Sequence, residues 1–213
     1  MGNRSQSRIA ALLSTEKMSV LAIFPDAAAM LAAMTERAPC RNFCATITCL
    51  SLAAATIETP LFPAAALSFY SQLNLGELDP AANAAHAALA AVWYTPARGG
   101  PQGDYRAGMR EKVANVIDAL RRFPRSKRAV LTVPNRNASH EVDEDAKCLR
   151  ELHFFIEGDG RLHCSGFMRA QAVSIFPKNI HFIAAIMDRV AAAVGAPVGS
   201  YTHFVTTLVT GRE

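Results

Sequence analysis

The stretch "KCLRELHFFIEGDGRLHCSGFMR", Lys147 to Arg169, decides how this chain is read. Two runs, "LRELHFFI" and "RLHCSGFMR", flank Gly158-Asp159-Gly160. A short glycine-rich link between two such runs is a hairpin signal. Cys148 then stands at the mouth of the first strand, and Arg169 at the far end of the second, twenty-one residues on. A thiol beside a guanidinium suits a nucleophile with an anion-binding partner. A small apolar residue at a strand start is the competing reading, and the stretch alone leaves both open.

Working outward, "EKVANVIDALRRFP" places Val113, Val116, Ile117 and Leu120 at i, i+3, i+4 and i+7. That spacing predicts one apolar helical face, stopped by Pro124. "RAVLTVPN" reads as a buried strand. "NIHFIAAIMDRVAAAVG" predicts a strong helix with Ile180, Ile183, Ala184 and Met187 along one side and Gly195 as its stop. Asn179 stands where a helix cap is expected. "THFVTTLVT" reads as a closing strand, and "NFCATITCLSL" as an earlier one. "SVLAIFPDAAAMLAAMTER" reads as helical, broken or started at Pro25 with Asp26 placed to cap. "DPAANAAHAALAAVWY" is a second alanine-rich helix, and "TPARGGPQGDYR" a loop. A hydrophobic helix beside antiparallel-leaning strands predicts an α+β domain spanning residues 1–213.

The chain has 213 residues, 51% hydrophobic and 19% charged, enough to bury a core without metals or disulfides to staple it. A formal charge of +4 suits phosphates and other small anions but falls short of the dense basic face that nucleic acid requires. Cys40, Cys44, Cys49, Cys148 and Cys164 form an odd set without paired-ligand spacing, so reduced thiols and no metal centre are expected. The start, "MGNRSQSRIAALLSTEK", carries an apolar run too short for a signal-peptide core. Glu58, Pro60 and Pro63 interrupt the best membrane-spanning candidate, and a cytoplasmic protein is expected.

From Ala107 onward the order of motifs resembles the thymidylate synthase superfamily, which includes the pyrimidine nucleotide hydroxymethylases. An amphipathic helix runs into "PRSKRAVLTVPN". A cysteine opens a strand, "DGRLHCSGFMRA" ends a second one in arginine, and "FPKNIHFIAAIMDRVAAAVG" resembles the family's proline-aromatic-asparagine entry into a long core helix. "APVGSYTHFVTTLV" resembles its closing strand. The resemblance covers residues 107–210, about half the chain, and residues 1–100 diverge.

The resemblance implies a mixed sheet with a long core helix packed on it. It also implies transfer of a methyl or hydroxymethyl group to position 5 of a pyrimidine nucleoside monophosphate, the one-carbon unit coming from 5,10-methylenetetrahydrofolate. Cys148 would be the nucleophile that adds to carbon 6, and Arg169 would favour its thiolate and grip the phosphate. Lys127 and Arg128 resemble an arginine pair that reaches across a homodimer interface to the same phosphate. Asn179 resembles the amide that reads the uracil edge, and Asn135 an asparagine kept at the end of a family strand. Several positions depart from the pattern. Pro134 replaces a tryptophan, Lys147 a proline, Ala170 a serine and Ala172 an aspartate, and a sugar-binding histidine-x-tyrosine falls at Val209 and Gly211. Arg37 and Arg41 are candidates for a further phosphate arginine, and Tyr105-Arg106 echoes a tyrosine-glycine loop. The family's folate-contacting glutamate and tryptophan have no counterpart. The alternative expectation is therefore a relative that binds a nucleotide, or serves as a scaffold, without turnover.

Overall fold

Among residues 21–135 and 146–211, which this computed structural model describes apart from the side chains of residues 101 and 102, six strands form one mixed sheet. The opening segment "MGNRSQSRIAALLSTEK" lies outside the described residues. Strand β1 (Ala22–Phe24) runs parallel to β2 (Cys40–Ile47), and β2 pairs antiparallel with β6 (Val198–Val209). In turn β6 runs parallel to β5 (Leu162–Ala172), which pairs antiparallel with β4 (Leu149–Ile156). The last edge is β3 (Val130–Thr132), antiparallel to β4, giving the order β1-β2-β6-β5-β4-β3. The α+β expectation holds, and the sheet is mixed as expected, with two parallel pairings among three antiparallel ones.

The helices are α1 (Ala27–Arg37), α2 (Leu52–Ala55), α3 (Ala64–Asn74), α4 (Ala84–Trp93), α5 (Met109–Arg122) and α6 (Phe176–Val194). Asp26 caps α1 as its side chain predicts, accepting from the Ala29 N–H at 2.8 Å. The apolar stripe of α5 is buried at Val113, Val116 and Leu120. Gly195 ends α6 in the left-handed region at φ 72°, where a glycine pays no Cβ penalty. Around Ile180, Ile183, Ala184 and Met187 this helix is the centre of the core. Along the sheet, alternate residues are buried and their neighbours half-exposed, as a one-sided sheet requires. Phe43, Ala45, Leu152, Phe154, Leu162, Cys164, Tyr201 and Val205 face inward. Phe155, Phe167, Thr202 and Phe204 lie on the other face.

That alternation changes phase at one level of the sheet. Arg41 and Asn42 break it in β2, Arg169 and Ala170 in β5, and Thr206 and Thr207 in β6. The β2–β6 and β5–β6 registers set Arg41 opposite Thr207 and Ala170 opposite Thr207, so the three slips lie side by side. Asn42 takes a positive φ of 56°, and β4 shifts register between Leu149 and Glu151 close by. Beyond the slips Gln171 turns inward, while Arg169 stays exposed.

Three readings of local structure need correction. Residues 22–24 form a strand, not helix, because they pair with β2. "RAVLTVPN" shrinks to three residues at a sheet edge, with Val130 and Thr132 exposed and only Leu131 buried between them. Asn179 is not a cap, since α6 begins three residues earlier at Phe176 and places it in the first turn. Helix α3 was not anticipated at all. Its buried residues run Ala66, Leu67, Phe69, Tyr70, Ser71, Leu73 and Asn74, nearly all round, so no one-sided period betrays it.

Candidate functional site

The hairpin does what its sequence predicts: it brings the ends of β4 and β5 together. The Arg169 N–H donates to the Cys148 carbonyl at 2.8 Å, and its guanidinium Nη2 stands 3.9 Å from the Cys148 Sγ. The same Nη2 donates to the Ala146 carbonyl at 3.0 Å, which holds the guanidinium over the thiol. Cys148 is half-buried, whereas Cys164 is buried in the core and desolvation pushes its thiol well up.

Cys148 lines a small pocket of about 70 Å³ together with Gly99, Gly103, Tyr105, Ala170, Gln171, Ala172, Ile175, Lys178 and Asn179. The loop 99–106 is drawn there by α3. Buried Asn74 donates to the Gly103 carbonyl at 3.3 Å and accepts from the Tyr105 N–H at 2.8 Å, so one side chain pins both ends of the turn. Tyr105 stacks on Phe182 with ring centroids 5.8 Å apart. Burial, and then the Cys148 thiol beside it, push its phenol well above the ordinary value, so it stays a protonated hydrogen-bond donor.

Two residues from α6 complete the wall. Lys178, only 1% exposed, donates to the Arg98 carbonyl at 3.0 Å and lies 4.7 Å from the Tyr70 ring centroid. A cation over an aromatic face is attracted to the ring quadrupole. A Cβ at Gly99 or Gly103 would overlap its ammonium, so the end of the lysine side chain would have to shift to make room. Asn179, 4% exposed, donates through Nδ2 to Gln171 Oε1 at 2.9 Å. Its own Oδ1 is buried and has no hydrogen-bond partner among the described residues. A buried acceptor left unpaired costs about 1–3 kcal/mol, so the site favours a ligand that brings a donor.

The sequence-predicted residues therefore divide. Cys148 and Asn179 line the pocket, and Arg169 stands exposed beside the thiol, outside the lining. Lys127 and Arg128 do not: both are exposed, and Lys127 borders a separate depression with Arg125, His153, Phe155 and Glu157. Asn135 is exposed as well, and its Oδ1 accepts from Lys112 Nζ at 2.8 Å. Arg41 bonds Thr207 Oγ1 at 2.5 Å, two strands over from Ala170 in the same row. Arg37 instead lies over the Phe43 ring. Gln171, Lys178 and Asn74 were not singled out in the sequence, because an isolated amide or lysine carries no motif.

Elsewhere, Ser200, His163 and Asp159 make a chain of hydrogen bonds at 2.8 and 3.1 Å. The His163 Nδ1 lone pair already takes the Ser200 N–H at 3.0 Å, so it is not free to act as a base. Among the described residues no cluster of three His, Cys, Asp or Glu side chains is placed to hold a metal ion. No described helix is long and apolar enough to cross a membrane. Comparison of the chain with protein-family models and with curated proteins finds no match.

Proposed function

We propose that the chain has a thymidylate-synthase-like fold, binds a pyrimidine nucleoside monophosphate in the Cys148 pocket, and transfers a one-carbon group to C5 of the ring by covalent cysteine catalysis. The observation that carries this reading is a pocket lined by a half-buried thiol and by a buried amide with an unpaired acceptor, with an exposed guanidinium 3.9 Å from the thiol. In this reaction the Cys148 thiolate adds to C6, and the C5=C6 electron pair moves onto C5 and the C4 carbonyl as an enolate. C5 then bonds to a one-carbon electrophile and loses its proton, and the thiolate leaves C6 to restore the double bond. The Tyr105 phenol and the Asn179 amide supply polar contacts to the ring. Arg169 binds the phosphate.

The resemblance names methylenetetrahydrofolate as the one-carbon donor. The described residues do not build a site for it. Ala172 lines the pocket in place of the family aspartate, and no carboxylate lines it among those residues.

A homodimer follows from the same reading. Phe167 and Phe204 stack 5.6 Å apart on the sheet face turned away from α6, and Phe155 lies on that face too. Pairing two such faces covers apolar surface and brings Lys127 and Arg128 of one copy toward the phosphate site of the other.

A second reading, nucleotide binding without turnover, is favoured by Ala170 and Ala172, two methyl groups where the resembled family has hydroxyl and carboxylate chemistry. One experiment separates the two. Release of tritium from the 5-position of dUMP, dCMP or CMP on mixing with the protein supports covalent addition at C6. Binding of a nucleotide with no release under any added one-carbon donor leaves only the second reading, and no binding removes both.

A further inference from the structure

The orientation of the Asn179 amide is set by a chain of hydrogen bonds that begins at a main-chain carbonyl. The Ala172 carbonyl can only accept, so the end of the Gln171 carboxamide that meets it at 2.6 Å is Nε2. That turns Oε1 of Gln171 toward Asn179. An oxygen there can only accept, so Asn179 must offer Nδ2, which it does at 2.9 Å. Oδ1 is then the atom left over, buried and unpaired among the described residues, on a residue that lines the pocket. Turning Asn179 over would set two acceptors against each other at that separation. Turning both amides over would move the same clash to the Ala172 carbonyl.

From this we infer that Gln171 is a positioning residue that holds Asn179 with its acceptor toward the ligand, so that the site selects a heterocycle offering an N–H at that edge. Gln171 reaches this position because the alternation slip at Arg169 and Ala170 turns it inward, to 2% exposure. Uracil offers such a donor at N3 and cytosine at its 4-amino group, whereas a ring alkylated at N3 and carrying a 4-oxo group offers none. The ligand half of the inference rests on the pyrimidine reading above. The orientation half does not.

Two measurements on the full chain test it, in wild type and in Gln171→Met, which keeps the side-chain length and removes both hydrogen bonds. The first, without ligand, is hydrogen exchange of the Asn179 side-chain amide by NMR. The expected result is an amide proton that exchanges roughly tenfold more slowly in wild type than in Gln171→Met, as loss of one buried hydrogen bond predicts. Equal exchange in the two proteins overturns the orienting role. The second is the affinity ratio of dUMP to N3-methyl-dUMP. Wild type is expected to prefer dUMP by about tenfold or more, and Gln171→Met to lose most of that preference because its Asn179 amide is free to turn. An equal loss of affinity for both nucleotides, with the ratio kept, marks Gln171 as merely structural and overturns the inference. If neither nucleotide binds wild type, the pyrimidine reading fails, and the exchange measurement alone decides whether Gln171 orients Asn179.

Discussion

Arg169 and Cys148 are locked to each other twice, by a main-chain hydrogen bond of 2.8 Å and by a guanidinium 3.9 Å from the sulfur. The strand pairing itself therefore delivers the cation to the thiol. No separate loop has to fold over the site to bring them together.

This pairing predicts selective chemistry at Cys148. Iodoacetamide should modify Cys148 well before Cys164, because Cys148 is half-exposed while Cys164 is buried and its thiol pushed well up. A bound pyrimidine nucleotide should slow the modification. On the proposed function, Cys148→Ser should abolish tritium release from C5 while leaving nucleotide affinity within about threefold, since there the thiol would act in the chemistry and not in holding the phosphate. Peptide mass analysis of labelled protein checks the first part. Labelling of both cysteines at one rate, unaffected by nucleotide, would remove Cys148 from the reaction.

Two arginines of β5 and its turn should respond differently to truncation. Arg169→Ala should weaken binding of a pyrimidine monophosphate by about 1.5–3 kcal/mol, the range for a charge-assisted hydrogen bond. Arg161 is exposed near the hairpin turn, where its Nη1 bonds the Val198 carbonyl at 2.9 Å, so Arg161→Ala should leave binding unchanged. Calorimetric titration measures both. Equal effects would place the phosphate elsewhere.

The outer sheet face predicts the oligomeric state. Sedimentation at micromolar concentration should give a dimer, and Phe167→Asp, which sets a charge into the Phe167–Phe204 stack, should give a monomer. A wild-type monomer would end the cross-subunit role of Lys127 and Arg128.

His203 should make the fold sensitive to acid. It is fully buried, with Nδ1 2.8 Å from the Tyr201 hydroxyl, and burial lowers its pKa from 6.5 to about 3. The unfolded chain takes up this proton near pH 6.5, and the native state not until about pH 3. Between those values the unfolded state binds more protons, so stability falls as pH drops, by at most ~1.4 kcal/mol per pH unit from this residue. Burial lowers His181 as well, in the same direction. Urea unfolding between about pH 7 and pH 5 should show a shallower slope for His203→Gln than for wild type. Identical slopes would mean that His203 is not protected in the native state.

Gly166 is the position where the sheet least tolerates a side chain. A Cβ there would lie 3.0 Å from two ring carbons of Tyr201 and closer still to its hydroxyl. Tyr201 is itself fully buried and cannot swing away. Gly166→Ala should cost about 1–3 kcal/mol by overpacking, and the cost should shrink in a Tyr201→Phe background. Additive effects in that double-mutant cycle would show that the two do not meet.

The sequence by itself determined the features that a local rule governs. The Gly158-Asp159-Gly160 hairpin, the Asp26 cap, the apolar stripe of α5 and the Gly195 stop each depend on residues within one or two turns of chain. The pairing of Cys148 with Arg169 was legible for the same reason, since a hairpin fixes its own register. Only the tertiary structure decided the rest. Residues 22–24 became strand because β2 was there to pair with them, and α3 was hidden because it is buried on nearly all sides and so shows no polar face. The pocket joins Tyr105, Cys148, Gln171 and Asn179 from four separate places in the chain, with Asn74 of a fifth bracing the loop that carries Tyr105. No sequence period records that meeting, because it follows from where the sheet slips phase and how α3 and α6 pack, and those depend on the whole chain closing at once.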